Sequence, residues 1–436
     1  MSMRTMGRWV TGLLALSVVS AAHATWSIIL IDTATKEIVV GSATCVSNID
    51  LEQDLPVVRV GVGAACAQSA VDQSGRNRRV IWNAFQAGTD PNEILNLLEA
   101  QDTGHQTRQY GIVDVHGRAA TFSGSENGDY KNGLTGRFGD LVYSIQGNVI
   151  TGQPVLDMAE QAIITTPGAL PEKVIAAMEA AASMGGDGRC SCDTLRPDRC
   201  GSPPPDFDRT SWVSFMIGAR RGDTDGTRCT GSAGCATGDY YLNVNVTRSV
   251  QADAVVRLRT KYDRWRDGLV GVPDAVESSA ALGVRHMLND GASQTTLRIE
   301  ARDWQGAAVT NLDGIRVIHN LSEGSAGSST IGDISDLGNG MFELPITAGT
   351  TAGRDRFLVA LFFTGDNGAE SVFLIQDAEL YIQDARADFN GDDVVDLADL
   401  SIQLQAFGAG NGGDVDGDND TDLTDLALLL GSFLPS

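Results

Sequence analysis

The stretch Ala22-His23-Ala24-Thr25-Trp26-Ser27-Ile28-Ile29-Leu30 decides how this chain is read. On its amino-terminal side, Arg4 and Arg8 precede an apolar run from Val10 to Ala22, and Ala22-His23-Ala24 supplies the small-x-small pattern that signal peptidase cuts. On the other side a strand of core-type residues begins at once. Cleavage after Ala24 predicts a mature chain that starts with Thr25 at the head of that strand. An N-terminal threonine holds both halves of a catalytic pair, the hydroxyl as nucleophile and its own α-amine as base. The amine's ordinary pKa of about 8 leaves a useful neutral fraction near neutral pH. The competing reading is plain: some residue follows every cleavage site, and here it is threonine.

The chain has 436 residues, enough for two to four domains, and a net charge of −24. That charge argues against nucleic acid and against anionic membrane surfaces as partners. Once the signal is removed, no segment reaches the 18 apolar residues of a membrane span, so the sequence predicts a secreted, periplasmic or cell-surface protein. Seven cysteines stand at 45, 66, 190, 192, 200, 229 and 235. In an exported chain they read as disulfides, and their spacings match no zinc ribbon or finger. The odd total leaves at least one thiol free or paired between chains, which keeps a homo-oligomer possible.

From Thr25 to about Gly268, strands in pairs alternate with helices in pairs. Thr25 to Asp32 and Glu37 to Cys45 form a hairpin, and Val57 to Ala67 reads as one further strand entered through Pro56. Arg78 to Gln86 and Pro91 to Ala100 are helical, the second opening on the cap Thr89-Asp90-Pro91. A second hairpin, Gln109 to Val115 and Arg118 to Ser123, is followed by a strand at Leu141 to Gly147 and helices at Val155 to Ile164 and Pro171 to Met184. Strands at Ser211 to Ala219 and Tyr240 to Val246 and a charged helix at Asp253 to Arg266 close the unit. The pattern predicts an α+β sandwich, two sheets faced by helical layers.

Thr25-Trp26-Ser27-Ile28, Val60-Gly61-Val62-Gly63-Ala64, Gln68, Gly111-Ile112-Val113-Asp114, Gly117-Arg118-Ala119-Ala120-Thr121-Phe122-Ser123-Gly124 and Gln146-Gly147-Asn148 resemble a bacterial family of unknown function, DUF1028. The closing Tyr241 to Trp265 segment fits it too. The resemblance implies a four-layer αββα sandwich of N-terminal-nucleophile (Ntn) hydrolase type over 25–268, and it raises Thr25 well above chance. The chain departs from the family between Gly186 and Gly238, where a cysteine-bearing, Gly- and Pro-rich insertion stands. It reads as a disulfide-pinned surface loop, with a lid over the site as the functional alternative.

Acyl transfer needs donors for a developing oxyanion. Asn148, after a strand and beside Gly147, is a candidate donor; Ser42 lies near the end of the second strand, Gln68 where the third ends, and Arg59 on the third strand as a charge to lower the amine's pKa. Each also has a structural reading as a turn or core residue. His105 and His116 fall in loop and turn positions with nothing to tie them to Thr25.

Residues 274–383 lose the helices and alternate instead. Thr296 to Asp303, Gly314 to Asn320, Gly340 to Ile346 and Arg356 to Phe363 predict a β-sandwich. Gly327 to Ile331, Gly338 to Phe342 and Thr347 to Thr350 resemble bacterial immunoglobulin-like modules, which implies a spacer; no cluster of aromatics supports carbohydrate binding. The tail, 386–436, carries eleven Asp and no Lys or Arg from Asp388 onward. Asp388, Asn390, Asp392, Val394 (through its carbonyl), Asp396 and Asp399 occupy positions 1, 3, 5, 7, 9 and 12 of a calcium loop. Asp414, Asp416, Asp418, Asp420, Asp422 and Asp425 repeat the register 26 residues on. Each loop runs into an apolar helix, Leu397 to Phe407 and Leu423 to Phe433, and the pair resembles a type I dockerin. That resemblance implies a small all-α domain with two Ca2+ sites and a cohesin-like or cell-surface partner. Position 6, usually glycine, is Asp393 and Asn419, two residue types that tolerate positive φ.

Three functions are compatible with these features: an exported Ntn-type hydrolase of an amide or related acyl bond, a non-catalytic peptide- or cell-wall-binding module, and an accessory of polysaccharide-degrading assemblies. The first needs no cofactor for catalysis.

Overall fold

The structure, a computed structural model, describes residues 25–365 and 368–433. The expected signal segment, 1–24, lies outside them. β1 (Thr25–Asp32) and β2 (Ile38–Thr44) form the expected hairpin, its turn tied by Asp32 Oδ1, which accepts from the N–H groups of Ala34 and Thr35. Both strands are buried on both faces, as their near-continuous apolar sequences require. They lie inside a six-stranded sheet of order β10-β9-β2-β1-β8-β7, with β7 (Lys131–Phe138), β8 (Leu141–Asn148), β9 (Val213–Ala219) and β10 (Leu242–Val246). A second sheet, β3-β4-β5-β6, is built from β3 (Pro56–Arg59), β4 (Gly63–Ser69), β5 (Arg108–Asp114) and β6 (Ala119–Ser123).

Side-chain alternation along each strand assigns the layers. From β1, Trp26, Ile28 and Leu30 enter a core shared with α4 (Pro154–Thr165), α5 (Leu170–Ser183) and α7 (Ala254–Asp267). Ile29 and Ile31 turn the other way, into a core with Ala64, Cys66 and Val113 of the second sheet. Beyond that sheet, Ala65, Tyr110 and Ile112 meet Ile81, Trp82 and Phe85 of α2 (Arg76–Gln86) and Ile94 and Leu98 of α3 (Pro91–Gln101). The order is helix, sheet, sheet, helix. Two single-turn helices, α1 (Leu51–Asp54) and α6 (Gly188–Ser191), lie in connections.

Three sequence expectations need correction here. The run Val57 to Ala67 is two strands: the chain reverses at Val60 to Val62, where Val62 N–H returns to Arg59 O, and the apolar pattern continues through the turn and hides it. β7 was not foreseen, because Lys131-Asn132-Gly133-Leu134-Thr135-Gly136-Arg137 has no apolar alternation; it is an edge strand, largely exposed. Within the span 186–238 the expected strand at Ser211 to Ala219 is β9, fully buried and interior, which limits the loop reading to the segments on either side of it. Disulfides join Cys192 to Cys200 and Cys229 to Cys235 inside that span, and Cys45 to Cys190 across to the end of β2; Cys66 is free and buried.

Residues from Ser279 to Gln383 form a β-sandwich. One sheet holds β11 (Ser279–Leu282), β13 (Gln294–Glu300), β15 (Thr330–Ile331), β16 (Ser335–Gly338) and β17 (Met341–Thr347). The other holds β12 (His286–Leu288), β14 (Gly314–His319), β18 (Gly353–Gly365), β19 (Gly368–Phe373) and β20 (Ala378–Gln383). Leu297, Ile299, Leu344, Phe357, Val359 and Leu380 fill the space between them. The tail follows as α8 (Leu397–Ala406) and α9 (Leu423–Ser432) around Ala387, Val395, Val415 and Leu429. Among the described residues no helix is long and apolar enough to cross a membrane.

Candidate active site

One end of the space between the two sheets of the first unit is polar. Ile29, Ile31, Val40 and Val142 fill the far end, but the same faces of the same strands carry Thr25 and Ser27 on β1, Ser42 on β2, Gln68 on β4, Gln109 on β5, and Ser144, Gln146 and Asn148 on β8, all buried. Buried polar groups persist only when hydrogen-bonded, and these largely satisfy one another. Ser27 Oγ donates to Gln68 Oε1 (2.5 Å) and lies 2.9 Å from Ser42 Oγ. Ser42 Oγ donates to Trp26 O (2.9 Å). Gln68 Nε2 donates to Thr25 O (3.0 Å) and to Gln109 Oε1 (2.7 Å), and Gln109 Nε2 donates in turn to Gly147 O (2.8 Å). Ser144 Oγ donates to Gln146 Oε1 (2.9 Å). That last side chain crosses the gap where Gly111 has no Cβ: one built there would stand 2.1 Å from Gln146 Oε1. Cys66 lies in the same layer, hydrogen-bonded to Ser27, and burial pushes its thiol up to about 12.

Thr25 is at the head of β1, opposite Asn148 of β8. Asn148 Nδ2 donates to Ser69 Oγ (3.2 Å), and Ser69 and Val149 both adopt left-handed backbone, φ 75° and 55°. The structure therefore brings Thr25, Gln68 and Asn148 together. Ser42 stands two residues further in, opposite Ser27 rather than Thr25. Arg59 is not at this end: it pairs with Gly63, five residues along β4 from Gln68, about 16 Å at the usual strand rise. Its guanidinium lies over the Trp82 ring (4.4 Å) and 3.4 Å from Asp225. On one unbroken strand Arg59 would stand nine residues from Gln68; the reversal at Val60 to Val62 shortens that to five and still leaves it away from Thr25. His105 stacks on Phe122 (4.0 Å) behind the second sheet, and His116 sits in the β5–β6 turn.

Sequence reading missed Asp187 and Arg189. Asp187 is fully buried; its Oδ2 accepts from Cys45 N–H (2.6 Å) and Arg189 Nη2 (2.8 Å), its Oδ1 from Arg189 N–H and Nε (both 3.1 Å). The preceding Gly186 has φ 51° and packs on the Trp26 ring, where a Cβ would come within 2.6 Å. Cys45, one residue past β2, is bonded to Cys190, the residue after Arg189, a pairing that the seven cysteines of the sequence leave open.

Residues 25–192 match the family of unknown function DUF1028. The DUF1028 segment thus runs from β1 through α6 and stops short of β9, β10 and α7. Among solved structures, the DUF1028 protein SPO2555 of Silicibacter pomeroyi is 18% identical, over 57% of this chain and 95% of its own, with a TM-score of 0.41. The Yersinia pseudotuberculosis adhesin InvE is 16% identical over 27% of this chain and 29% of its own (TM-score 0.21), and the Escherichia coli adhesin FdeC 10% over 64% and 58% (TM-score 0.21). No curated protein matches.

The two acidic loops of the tail share one hydrogen-bonding scheme. Asp388 accepts from the N–H groups of Gly391, Asp392 and Asp393, and Asp414 from those of Gly417 and Asn419. Asp393 and Asn419 have φ 67° and 73°, the left-handed backbone expected at that position. Asp396 with Asp399, and Asp422 with Asp425, form capping boxes that start α8 and α9. Carboxylate oxygens of Asp414, Asp416 and Asp425 lie within 4.8 Å of one another, as do those of Asp418, Asp420 and Asp425. A hard-oxygen donor set of this kind fits calcium.

Proposed function

We propose that the chain is an exported Ntn-type hydrolase, cut after Ala24, whose Thr25 cleaves an amide or related acyl bond. The observation that carries this reading is the place of Thr25: it heads an interior strand of a helix–sheet–sheet–helix sandwich, at the end where the inter-sheet space turns polar. In the reaction the α-amine takes the proton of Thr25 Oγ1, the oxygen bonds to the substrate carbonyl carbon, and the resulting oxyanion is stabilised by amide donors, Asn148 being the candidate. The protonated amine returns its proton to the leaving nitrogen as the C–N bond breaks. Water, deprotonated by the same amine, then bonds to the ester carbonyl carbon; as the C–Oγ1 bond breaks, the ammonium returns its proton to Thr25 Oγ1 and the carboxylic acid leaves. Gln68 and Ser42 are positioning residues: Gln68 fixes the Thr25 carbonyl and Ser42 that of Trp26.

In the same reading the tail is a dockerin-like domain. Asp388, Asn390, Asp392, the Val394 carbonyl, Asp396 and Asp399 would hold one Ca2+, and Asp414, Asp416, Asp418, Asp420, Asp422 and Asp425 a second. The domain would attach the hydrolase to a cohesin-like or cell-surface protein, with the β-sandwich as spacer.

The test is a trio of variants. Thr25→Ala should abolish acylation by an electrophilic acyl probe and Thr25→Ser should retain part of it. A chain with one extra residue before Thr25, verified by mass spectrometry, keeps the hydroxyl but turns the amine into an amide, and should be as inert as Thr25→Ala. Labelling that survives in the extended chain, or a mature start elsewhere by Edman sequencing, refutes the mechanism.

A further inference from the structure

The segment Asp187–Gly188 closes the end of β1. On one flank β8 runs on past Asn148, and Val149 O accepts from Gly188 N–H (3.1 Å) while Ile150 bridges to Asp187. On the other flank, β2 pairs Ala43 with Trp26, so Thr44 stands beside Thr25 and Cys45 beyond it. Thr44 O accepts from Trp212 N–H, on the side away from β1. Backbone groups of a strand alternate in direction, so the Cys45 N–H that bonds Asp187 points to the β1 side. Asp187 thus joins the two strands that flank β1, in line with β1 and ahead of Thr25. Its carboxylate has about four lone-pair sites, and four N–H groups occupy them, three from Arg189. The guanidinium is therefore held in place, and the Cys45–Cys190 disulfide fastens the segment to β2.

We propose that Asp187 and Arg189 are a positioning pair that sets the protonation state of the Thr25 α-amine once cleavage after Ala24 has exposed it. The inference rests on the Thr25 reading above. Strand register brings two other cations to this end, each with its own carboxylate: Lys131, opposite Asn148, with Asp129 (2.9 Å), and Arg108, opposite Ser69, with Asp102 (2.8 Å). Asp253 is engaged by the hydroxyls and N–H groups of Ser211 and of Thr210, the latter lying beside Gly186. The Asp187–Arg189 pair differs from these in lying on the line of β1 itself. Its halves act in opposite senses. Loss of Arg189 leaves an uncompensated carboxylate that favours ammonium, and loss of the Asp187 charge leaves an uncompensated cation that favours the neutral base.

The experiment titrates the amine directly in a chain that begins at Thr25. The rate of N-terminal acetylation by a limiting amine reagent is followed against pH by mass spectrometry of the first peptide. Arg189→Gln should move the midpoint up by about one pH unit, Asp187→Asn should move it down by a similar amount, and Arg189→Lys should stay near the parent. Circular dichroism checks the fold; should Arg189→Gln not fold, the downward shift in Asp187→Asn and the near-parent Arg189→Lys carry the test. Unmoved or same-direction midpoints in folded variants overturn the inference. Because the titration needs no turnover, opposed shifts with an inert Thr25 would remove the hydrolase and leave the pair. A reactive Thr25 with unmoved midpoints would do the reverse.

Discussion

Gln68 Nε2 donates to the carbonyl oxygen of Thr25 at 3.0 Å, from one sheet to the other. The same side chain accepts from Ser27 and donates to Gln109, so one glutamine holds two residues of β1 and ties them to β5. Gln68→Ala would leave three buried polar groups short of a partner, at about 1–3 kcal/mol each, with partial relief from rearrangement or water. The variant should lose about 2–4 kcal/mol in urea unfolding, and Thr25 should lose probe reactivity along with it. An unchanged midpoint would mean that this layer contributes nothing to the position of Thr25.

Cys66 is the free thiol among the seven cysteines, and it is buried in that layer. A thiol pushed up to about 12 by burial is almost wholly protonated at neutral pH. Alkylation of the folded protein should be roughly a thousandfold slower than that of an exposed thiol, and one equivalent should react once guanidinium unfolds the chain. Fast labelling in the native state would show that this end of the sandwich opens.

Glu37, buried just before β2, gives a pH dependence of definite sign. Burial raises its carboxyl to about 7, against the lowering effect of the hydrogen bond from Tyr241 and the charge of Arg220. Below about pH 4.5 the group is protonated folded and unfolded, and nothing is lost. Between that value and 7 the unfolded chain gives up its proton first, so stability falls as pH rises, by about 3 kcal/mol in all. Glu37→Gln should remove this slope: the difference in unfolding free energy between parent and variant should move in the variant's favour from pH 4.5 to pH 8. A difference constant across that range refutes it.

Much of this was legible because strands buried on both faces are largely apolar: Trp26 to Ile31 and Val39 to Ala43, each broken by a single serine, could be read directly. The polar end was harder. Ser27, Gln109 and Gln146 sit in core strands without any local mark, and only the pairing of β1, β4, β5 and β8 assembles them. Arg59 was a candidate only as a basic residue on a strand, and its distance from Thr25 depends on the pairing of β3 with β4, which no local pattern shows. Asp187 and Arg189 depend on a disulfide between residues 145 apart in the chain, which no local pattern encodes. The tail was the opposite case. Its acidic spacing and its capping residues are the same aspartates, so one twelve-residue reading located turn, cap and helix start together.

The junction between sandwich and tail gives the last prediction, which rests on the calcium reading. Gln383, buried at the end of β20, donates from Nε2 to Val395 O (3.0 Å) and Ser432 O (3.1 Å), and its Oε1 accepts from Val395 N–H (3.2 Å). Val395 is the residue between Val394 and Asp396 of the first loop, so both of its backbone groups are held by the neighbouring domain. The second loop instead uses contacts inside the tail: Thr421 Oγ1 accepts from Gly413 N–H, and Gln403 Nε2 donates to Gly413 O. Each loop gathers carboxylates that repel until a cation arrives, so EDTA should reduce the helical circular dichroism of the full chain and calcium should restore it. Gln383→Ala should weaken the first site alone, by about 5- to 30-fold, the equivalent of 1–2 kcal/mol of lost loop order. Calorimetric titration of the full chain resolves the two sites, with Asp388→Ala and Asp414→Ala to identify them. Equal weakening of both sites, or of neither, would show that the sandwich does not hold the first loop in its binding geometry.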